Sequence, residues 1–320
     1  MESNMNRRLK IILSSFLFLA ISACSSIPKS VEEWRSNLKS EKIENQTMAY
    51  KTYGSPENPI VILLHGLPTS SYLYRNIAPE IANAGFFVLT PDLVGFGGSS
   101  KPDEFSEYDI GKQARRFDQL LTKLKINEFN LVVHDIGAIV AFEYMLKKSN
   151  QVKSLLVLNT TAYKSGFTPP SEMKMLAGWM GGMMSSMMSG NFMGPYLTGK
   201  FLKDNMAHPE KLTEEARDNY WWPIHEGTTS VMRATAKNFD PMMDKFPIYQ
   251  EMLRNYKGRA RIHWGTQDRV LLSSKIVPQF QKDLKLMDSQ VRFNDQASHF
   301  VQEDDPQSVV GEILLILKNQ

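Results

Sequence analysis

The stretch LVVHDIGAIVAF, residues 131–142, carries a single carboxylate between two apolar runs. Residues 131–133 have the continuous apolar character of a buried strand, and the apolar spacing of residues 138–146 is typical of a helix. Asp135 stands at the junction, and Gly137 follows it. A buried strand that runs through a glycine-containing turn into a helix predicts a unit of an α/β fold. A carboxylate at this junction is either a helix cap or a chemical reagent.

The rest of the chain alternates between predicted strands and predicted helices. Most of the predicted strands are continuously apolar, which is typical of a parallel sheet covered on both faces. Strands are predicted at residues 59–66, 86–97, 129–137, 154–159, 260–265 and 290–295, and helices near residues 111–124, 138–148, 274–286 and 306–317. The alternation predicts a doubly wound α/β domain whose functional site lies at the carboxyl ends of the strands.

One long segment interrupts this alternation. Residues 163–246 contain no convincing strand pattern, and eight methionines occur between Met173 and Met193. We interpret the segment as a helical insertion. Because methionine is unbranched and polarizable, the cluster fits a surface that adapts to varied apolar ligands, and it fits the loosely packed core of a cap equally well.

Length and composition restrict the class of protein. With 320 residues and 42% hydrophobic content, the chain can bury a large core as one domain with an insertion or as two small domains. The net charge of +3 and the scattered lysines argue against nucleic acid as a partner. GFGGSS, residues 95–100, follows PDLV instead of opening a helix with a lysine, so it is interpreted as a turn. No cluster of metal-ligating residues is evident either. The sequence therefore predicts no metal and no diffusible cofactor.

The first residues have the pattern of an export signal. Arg7, Arg8 and Lys10 form a basic start, an apolar run covers residues 11–21, and small residues precede Cys24. This pattern predicts a secretory signal peptide over residues 1–23, since the apolar run is short for a membrane span. The alternative interpretation is an uncleaved membrane anchor in which the cysteine is unmodified and has no function. Cys24 is the single cysteine, so an intramolecular disulfide is excluded.

The residues around Cys24 also resemble a known processing site. ISAC, residues 21–24, resembles the lipobox of bacterial lipoproteins, in which the cysteine becomes the lipidated first residue. The resemblance implies a membrane partner reached through the N-terminal lipid. Ser25 after the cysteine implies the periplasmic face of the outer membrane in a Gram-negative cell envelope. Residues 24–42 are predicted to form a tether with a helical part around residues 31–38.

Asp135 occupies the nucleophile position of a strand-turn-helix elbow. In that geometry the next backbone N–H and another N–H from an earlier loop can hold developing negative charge. The G-x-S-x-G form is absent, because aspartate replaces serine and Val133 replaces the first glycine. A carboxylate can attack an electrophilic sp3 carbon and form an alkyl ester, which water then hydrolyses with the help of a base.

A base and a second acid are available in the required order. ASHF, residues 297–300, puts His299 after the last predicted strand, where its imidazole can activate water. HWGTQD, residues 263–268, puts Asp268 after the preceding strand, where its carboxylate can orient that imidazole. The order of Asp135, Asp268 and His299 matches the nucleophile, acid and histidine order of serine-type enzymes with this elbow.

These residues carry a family resemblance. From about residue 47 to the C-terminus the chain resembles the α/β-hydrolase superfamily, in particular the branch of haloalkane dehalogenases and epoxide hydrolases. HGLPTSSYLYRNIAP, residues 65–79, is similar to a dehalogenase segment, and PDLVGFGGSSKP, residues 91–102, to a loop common to both families. The resemblance implies an oxyanion hole made by the backbone N–H groups of Leu67 and Ile136, and a cis peptide before Pro68.

The resemblance also implies a division of the chain. The α/β-hydrolase fold is expected as a mostly parallel, doubly wound sheet with an inserted helical cap. The first part of the core then covers residues 43–160, the Met-rich cap covers residues 161–246, and the second part of the core covers residues 247–320. His65 and Gly66 are interpreted as shaping the loop after the first parallel strand, without proton transfer.

Departures from the family pattern bear on the substrate. Haloalkane dehalogenases place a tryptophan after the nucleophile to hold the leaving halide, and many place an asparagine after His-Gly; here Ile136 and Leu67 take those positions. Fluoroacetate dehalogenases place an arginine where Ile136 stands. A developing halide without donors is poorly stabilised in an apolar pocket, so these departures favour epoxide opening. Epoxide opening requires a donor from the cap. The candidate donors are Tyr163, Tyr196, Tyr220, His208 and His225.

Three functions follow from these observations. The favoured prediction is a hydrolase that acts on a hydrophobic small molecule through an alkyl ester at Asp135, with epoxide-hydrolase chemistry. Haloalkane dehalogenation is the first alternative, favoured by the similarity of residues 65–79 and by Val133. The second alternative is a lipoprotein of the envelope that binds ligands without catalysis, since a fold alone does not imply an activity.

Overall fold

The computed structural model describes residues 26–318. The predicted signal peptide and Cys24 lie outside the described residues. Within the described part, no helix combines the length and the apolar character that a membrane span requires. The predicted tether is wrong at its end, because residues 39–42 belong to the first strand of the sheet.

Eight strands form one sheet in the described part of the chain. They are β1 (Lys39–Ile43), β2 (Gln46–Tyr53), β3 (Ile60–Leu64), β4 (Phe87–Pro91), β5 (Phe129–His134), β6 (Val152–Leu158), β7 (Arg259–Gly265) and β8 (Val291–Asn294). Their order across the sheet is β1-β2-β4-β3-β5-β6-β7-β8. The pairs β1–β2 and β2–β4 are antiparallel, and the other pairs are parallel.

The six predicted strands are all present, but two predicted strands extend too far. The stretch 86–97 leaves the sheet at Pro91, and the stretch 129–137 leaves it at His134. In both, the apolar residues beyond the strand are buried in a loop or in the next helix. Strands β1 and β2 were not predicted, because they contain many polar residues. An antiparallel pair at the edge of a sheet tolerates such residues on the face that contacts solvent.

Helices flank the sheet and form the insertion. They are α1 (Lys29–Arg35), α2 (Ala78–Asn83), α3 (Ile110–Lys123), α4 (Ile136–Lys148), α5 (Ser171–Ala177), α6 (Gly181–Ser189), α7 (Gly194–Asp204), α8 (Glu214–Pro223), α9 (Thr229–Lys237), α10 (Phe239–Met243), α11 (Phe246–Asn255), α12 (Ser273–Asp283), α13 (Val301–Asp304) and α14 (Pro306–Lys318). The four helices predicted from periodicity correspond to α3, α4, α12 and α14.

The core is divided into two layers by the sheet. Val61 and Leu63 of β3 pack into one apolar cluster together with residues of α2 and α14. Ile62 and Leu64 of the same strand pack into a second cluster with residues of α3, α4, α11 and α12. Because neighbouring residues of a strand point to opposite faces, both faces of β3 are covered by helices. The predicted doubly wound α/β fold is confirmed.

Helices α5 to α10 form a helical cap between β6 and α11. One isolated bridge, between Phe167 and Leu271, joins the start of this insertion to the core. Met188 and Met232 are buried in a small apolar cluster of the cap, whereas Met183 and Met187 are exposed on α6. Some methionines therefore fill the cap core and others lie at its surface.

Candidate functional site

Asp135 lies in a sharp turn between β5 and α4. Its backbone has φ 48° and ψ −131°, a conformation that non-glycine residues adopt at a cost and that is often found at functional sites. Close packing surrounds the turn: a Cβ atom on Gly66 would lie 2.3 Å from the Cβ atom of Asp135, and one on Gly137 would lie 2.2 Å from the carbonyl oxygen of His65. The two glycines therefore allow the loop after β3 to approach the elbow.

Backbone and side-chain hydrogen bonds hold the elbow in place. The N–H of Asp135 donates to the carbonyl oxygen of Asn159 at 3.0 Å. The hydroxyl of Thr160 donates to the carbonyl oxygen of Asp135 at 2.7 Å. Both partners follow β6, so the neighbouring parallel strand fixes the elbow from one side.

The predicted oxyanion-hole residues lie next to the carboxylate of Asp135. The N–H of Leu67 donates to Oδ1 of Asp135 at 2.7 Å. Ile136 is the first residue of α4, where backbone N–H groups have no partner within the helix. The peptide bond between Leu67 and Pro68 is cis, as the sequence resemblance implied.

The structure brings Asp135, Asp268 and His299 together in one site. Nδ1 of His299 donates to Oδ2 of Asp268 at 2.9 Å. Nε2 of His299 lies 3.8 Å from Oδ2 of Asp135, which is too long for a direct hydrogen bond. Asp268 and His299 are both buried. The imidazole is therefore oriented by one carboxylate and faces the other.

Asp268 accepts hydrogen bonds on both of its carboxylate oxygens. Oδ1 accepts the N–H groups of Val270 at 2.8 Å and Leu271 at 2.9 Å. Oδ2 accepts the amide of Asn159 at 2.9 Å as well as His299. Asn159 was not predicted, although a polar residue at the carboxyl end of a continuously apolar parallel strand is the pattern that identifies it.

The pKa values of the buried pair shift in opposite directions. Burial lowers the pKa of His299, but the charge of Asp268 and the hydrogen bond to it outweigh this effect and raise the pKa above its usual value. Burial raises the pKa of the Asp268 carboxyl, and the charge of His299 with several hydrogen bonds keeps it below its usual value. His299 is therefore a stronger base than a free imidazole.

Two other buried histidines have structural roles. The ring of His65 donates from Nδ1 to the carbonyl oxygen of Gly66 at 3.0 Å and accepts the N–H of Leu93 on Nε2 at 3.1 Å. Nε2 of His134 donates to the carbonyl oxygen of His299 at 2.9 Å. Burial lowers the pKa of His134 to about 3, so this ring stays neutral. Both rings position loops, which agrees with the interpretation of His65 from sequence.

The buried carboxylate of Asp304 joins the loop that carries His299 to the cap. Asp304 accepts the N–H of Ser298 at 2.8 Å, directly before His299. It also accepts two N–H groups from the segment after α7, Ala207 at 3.0 Å and His208 at 2.8 Å. A single side chain therefore fixes the base loop of the core to a loop of the cap.

An apolar cavity lies between the cap and the elbow. Its volume is about 90 Å³. The cavity is lined by Leu67, Asp135, Ile136, Ile139, Thr160, Thr161, Phe167, Pro170, Glu172, Met173, Leu176, Met188, Phe201, Asn205, Met232, Thr235, Ala236, Phe239, Val270, Leu271 and His299. Asp135 and His299 therefore face an enclosed and mostly apolar space.

The three predicted tyrosine donors lie outside this cavity lining. The hydroxyl of Tyr163 donates to Asp283 at 3.0 Å. Tyr220 is buried and donates its hydroxyl to the carboxylate of Glu303. Tyr196 is 63% exposed on the outer side of α7. Tyr163 and Tyr220 thus donate to carboxylates, and none of the three tyrosines belongs to the described cavity lining.

The two predicted histidine donors also lie outside the lining. Nδ1 of His208 lies 3.2 Å from the carboxylate of Glu210, near the surface. Nδ1 of His225 donates to the carbonyl oxygen of Ser189 at 2.7 Å. Among the residues that the structure describes, none of the five predicted donors faces the cavity.

The tryptophans of the cap supply no indole N–H to the described cavity lining. The indole of Trp221 donates to the carbonyl oxygen of Met188 at 3.1 Å. The indole of Trp222 donates to Glu226 at 2.8 Å. Trp179 is 95% exposed.

Three cap residues line the cavity with polar groups, Glu172, Asn205 and Thr235, and none of them was predicted from the sequence. The threonines from the core, Thr160 and Thr161, donate their hydroxyls to backbone carbonyl oxygens at 2.7 Å each. The amide of Asn205 donates one hydrogen to the carbonyl oxygen of Phe201 at 2.8 Å and carries a second hydrogen. Asn205 and Thr235 are therefore the cap side chains with donors for a substrate. Neither belongs to a motif, so no signal marked them.

The predicted orienting role of Asp268 has a test with a defined sign. His299 acts as a base only when neutral, that is, at a pH above its raised pKa. Asp268→Asn removes the negative charge, so the pKa of His299 should fall and the acid limb of the pH profile should move to lower pH. The plateau rate should also fall by about 10²–10⁴-fold. Single-turnover hydrolysis measured across pH provides the check, and an unmoved acid limb would contradict the role.

Comparison with known proteins agrees with this geometry. Residues 59–306 match the family described as the alpha/beta hydrolase fold. An uncharacterized hydrolase of Saccharomyces cerevisiae is 24% identical over 271 residues, which cover 83% of this chain and 91% of that protein. Epoxide hydrolase A of Mycobacterium tuberculosis is 35% identical over 119 residues, 37% of each chain. A haloalkane dehalogenase of Mycobacterium marinum is 34% identical over 125 residues, which cover 39% of this chain and 40% of that protein.

Solved structures share the fold over most of the chain. The epoxide hydrolase CorEH is 21% identical with a TM-score of 0.70 and covers 88% of this chain and 98% of its own. The haloalkane dehalogenase DbeA from Bradyrhizobium elkani is 24% identical with a TM-score of 0.67, over 88% of this chain and 99% of its own. At these identities the likeness establishes the fold. Together with the family match, it establishes that the chain is a hydrolase-type enzyme of the alpha/beta hydrolase fold family.

Proposed function

We propose that the protein hydrolyses an apolar electrophile through a covalent alkyl ester at Asp135, with an epoxide as the favoured substrate. One observation carries the proposal: the Asp135 carboxylate faces an apolar cavity with Leu67 N–H on Oδ1 and Nε2 of His299 3.8 Å from Oδ2. The carboxylate is thus available to the substrate, and a base lies beside it. This is the arrangement that nucleophilic catalysis followed by hydrolysis requires.

The first step forms the ester. An oxygen of Asp135 attacks a ring carbon of the epoxide, and the bond from that carbon to the ring oxygen breaks. The ring oxygen stays on the substrate as an alkoxide and takes a proton from a water molecule, which leaves a hydroxide ion. Hydrogen bonds from Asn205 or Thr235 stabilise the developing charge before protonation.

The second step releases the product. His299 removes a proton from a water molecule, and the resulting hydroxide adds to the ester carbonyl carbon of Asp135. The N–H groups of Leu67 and Ile136 stabilise the oxyanion, and Asp268 stabilises the protonated imidazole. The bond between the carbonyl carbon and the alkyl oxygen then breaks, and the leaving oxygen takes the proton from His299. A diol leaves, and the Asp135 carboxylic acid gives its proton to the hydroxide formed in the first step, which restores the carboxylate.

Two observations support an epoxide ahead of a halide. Leu67 and Ile136 offer no side-chain donor, and the described cavity lining contains no tryptophan, so a departing halide has few groups to stabilise it. Opening an epoxide needs a donor for the ring oxygen, which Asn205 or Thr235 can supply, and release of the ring strain contributes to the driving force. The similarity to epoxide hydrolase A supports the same choice.

Dehalogenation is the second candidate, supported by the amide of Asn205. A halide leaves as an anion and needs no proton, and an amide N–H can donate a hydrogen bond without giving up its proton. The similarity to the haloalkane dehalogenase of Mycobacterium marinum supports this candidate too.

A single turnover in water enriched in ¹⁸O tests the ester mechanism. With enzyme in excess, the product oxygen comes from Asp135, so the first diol should contain ¹⁶O and the labelled oxygen should enter the Asp135 carboxylate. Mass spectrometry of the product and of the peptide with Asp135 gives the result. Label in the first diol would show direct attack by water and reject the ester.

Substitution of Asn205 tests the proposed donor. Asn205→Leu keeps the size of the side chain and removes its amide, so ester formation should slow by about 10–100-fold, as expected for a hydrogen bond to a charged group. Rapid-quench measurement of the ester gives the rate for epoxides and bromoalkanes separately. Thr235→Val removes the hydroxyl of the other candidate donor, on α9, with little change in side-chain size. Comparison of the two variants shows which side chain donates. Ester formation at the wild-type rate in Asn205→Leu would assign the donor role elsewhere.

We propose in addition that the chain is lipid-anchored at Cys24 on the periplasmic face of the outer membrane. The lipobox resemblance of residues 21–24 and the basic, apolar start of the sequence support this location. Metabolic labelling with a fatty-acid probe tests it, and label that persists in Cys24→Ala would reject it.

A further inference from the structure

The outer face of the cap exposes a group of large apolar side chains. We define it as the cap patch; it consists of Met175, Trp179, Met183, Met187, Phe192 and Tyr196. Trp179 is 95% exposed and Phe192 is 92% exposed. All six belong to α5, α6, α7 and the short links between them, and these helices pack against one another in sequence. Several large apolar side chains exposed on neighbouring helices often mark an interaction site.

The composition of the cap patch fits a lipid surface. Tryptophan and tyrosine favour the boundary between water and the acyl chains, and phenylalanine and methionine favour the acyl region itself. Lys174 on α5 and Lys203 on α7 are exposed on the same helices, whereas Lys200 on α7 is paired with Asp204. Lysines beside an apolar face add attraction to anionic headgroups.

The short segment between Cys24 and helix α1 also supports a lipid surface as the partner of the cap patch. Val31 of α1 packs into the apolar cluster of the cap with Leu176 and Met188. Helix α1 begins at Lys29, five residues after Cys24, so the segment between them spans at most about 18 Å. A lipid on Cys24 would therefore hold the cap close to the membrane surface.

The patch and the cavity share the same helices. Met173, Leu176 and Met188 line the cavity, and they lie on α5 and α6, whose outer sides carry Met175, Met183 and Met187. The two helices therefore separate the cavity from whatever covers the patch. A substrate dissolved in that covering layer would be separated from the cavity by these two helices alone.

We propose that the cap patch inserts into the lipid bilayer and that the enzyme takes its apolar substrate directly from the membrane. The choice of substrate rests on the proposed function, whereas the insertion itself does not depend on catalysis. The two parts therefore need separate measurements.

Fluorescence quenching by brominated lipid tests the insertion. The full-length protein is placed in vesicles of phosphatidylethanolamine and phosphatidylglycerol, with and without bromine on the acyl chains, and compared with Trp179→Phe. Brominated lipid should quench the wild-type protein clearly more than the variant, because Trp179 is the most exposed of the tryptophans that the structure describes. Equal quenching of the two proteins would overturn the insertion.

Turnover of substrate supplied in two forms tests delivery from the membrane. The double variant Trp179→Ser and Phe192→Ser should lose several-fold in turnover of an epoxide dissolved in vesicles and keep its turnover of a water-soluble epoxide. Phe293→Ser, on β8, is the control at an exposed aromatic residue outside the cap and should change neither rate. Equal loss on both substrates would reject delivery. Quenching through Trp179 without turnover of any electrophile would instead reject the proposed function and leave the insertion intact.

Discussion

His299→Gln is expected to stop the enzyme after the first step and to leave the alkyl ester on Asp135. His299 lies within reach of the water that attacks the ester, and the attack of Asp135 on the substrate needs no base. Loss of the base should slow ester hydrolysis by at least about 10²–10⁴-fold, while ester formation continues. Intact mass spectrometry with peptide mapping should then show one adduct per chain on Asp135.

The mass of this adduct identifies the class of substrate. An increase equal to the whole epoxide would establish ring opening, because the ring oxygen stays on the substrate. An alkyl adduct that lacks bromine would establish dehalogenation. His208→Gln is the matched control, since this ring lies near the surface beside Glu210 and outside the described cavity lining. Absence of any adduct from a series of epoxides and bromoalkanes would count against both chemistries.

Asp135→Ala is expected to abolish turnover and to leave the fold intact. Removal of a nucleophile that forms a covalent intermediate should lower the rate by about 10⁴-fold or more. The free energy of unfolding should fall by only about 1–3 kcal/mol, because alanine tolerates the positive φ of this position less well and the N–H of Leu67 loses its acceptor. Steady-state assays and thermal unfolding measure the two effects.

A matched control separates the two effects of this substitution. Asp240→Ala removes an exposed aspartate from the first turn of α10, outside the described lining of the cavity. Its activity and its melting temperature should stay close to those of the wild type. Turnover by Asp135→Ala above about one thousandth of the wild-type rate would reject the covalent mechanism, which requires this carboxylate.

Much of the fold could be predicted because burial leaves a simple pattern. The parallel strands β3 to β6 are covered on both faces, so their sequences are largely apolar and stand out from the loops. The elbow could be predicted for a related reason. A carboxylate between an apolar strand and an apolar helix has few structural explanations, and the order of Asp135, Asp268 and His299 restricted them further.

The cap donors could not be predicted because their direction depends on tertiary contacts. Tyr163 and Tyr220 are buried tyrosines of the kind that a hydrolase would need, and each donates its hydroxyl to a carboxylate away from the cavity. No local pattern encodes that choice. Asn205 lies at the end of an ordinary helix, and only the packing of α7 over the elbow brings it to the cavity.

The carboxylate of Asp304 limits how this enzyme can be re-engineered. It accepts N–H groups from Ser298 in the core and from Ala207 and His208 in the cap. A chimera with a foreign cap would leave this buried charge without two of its donors, which is costly. The segment after α7 should therefore be transplanted together with residues 298–304, so that the module for exchange is the cap with the base loop, and not the cap alone.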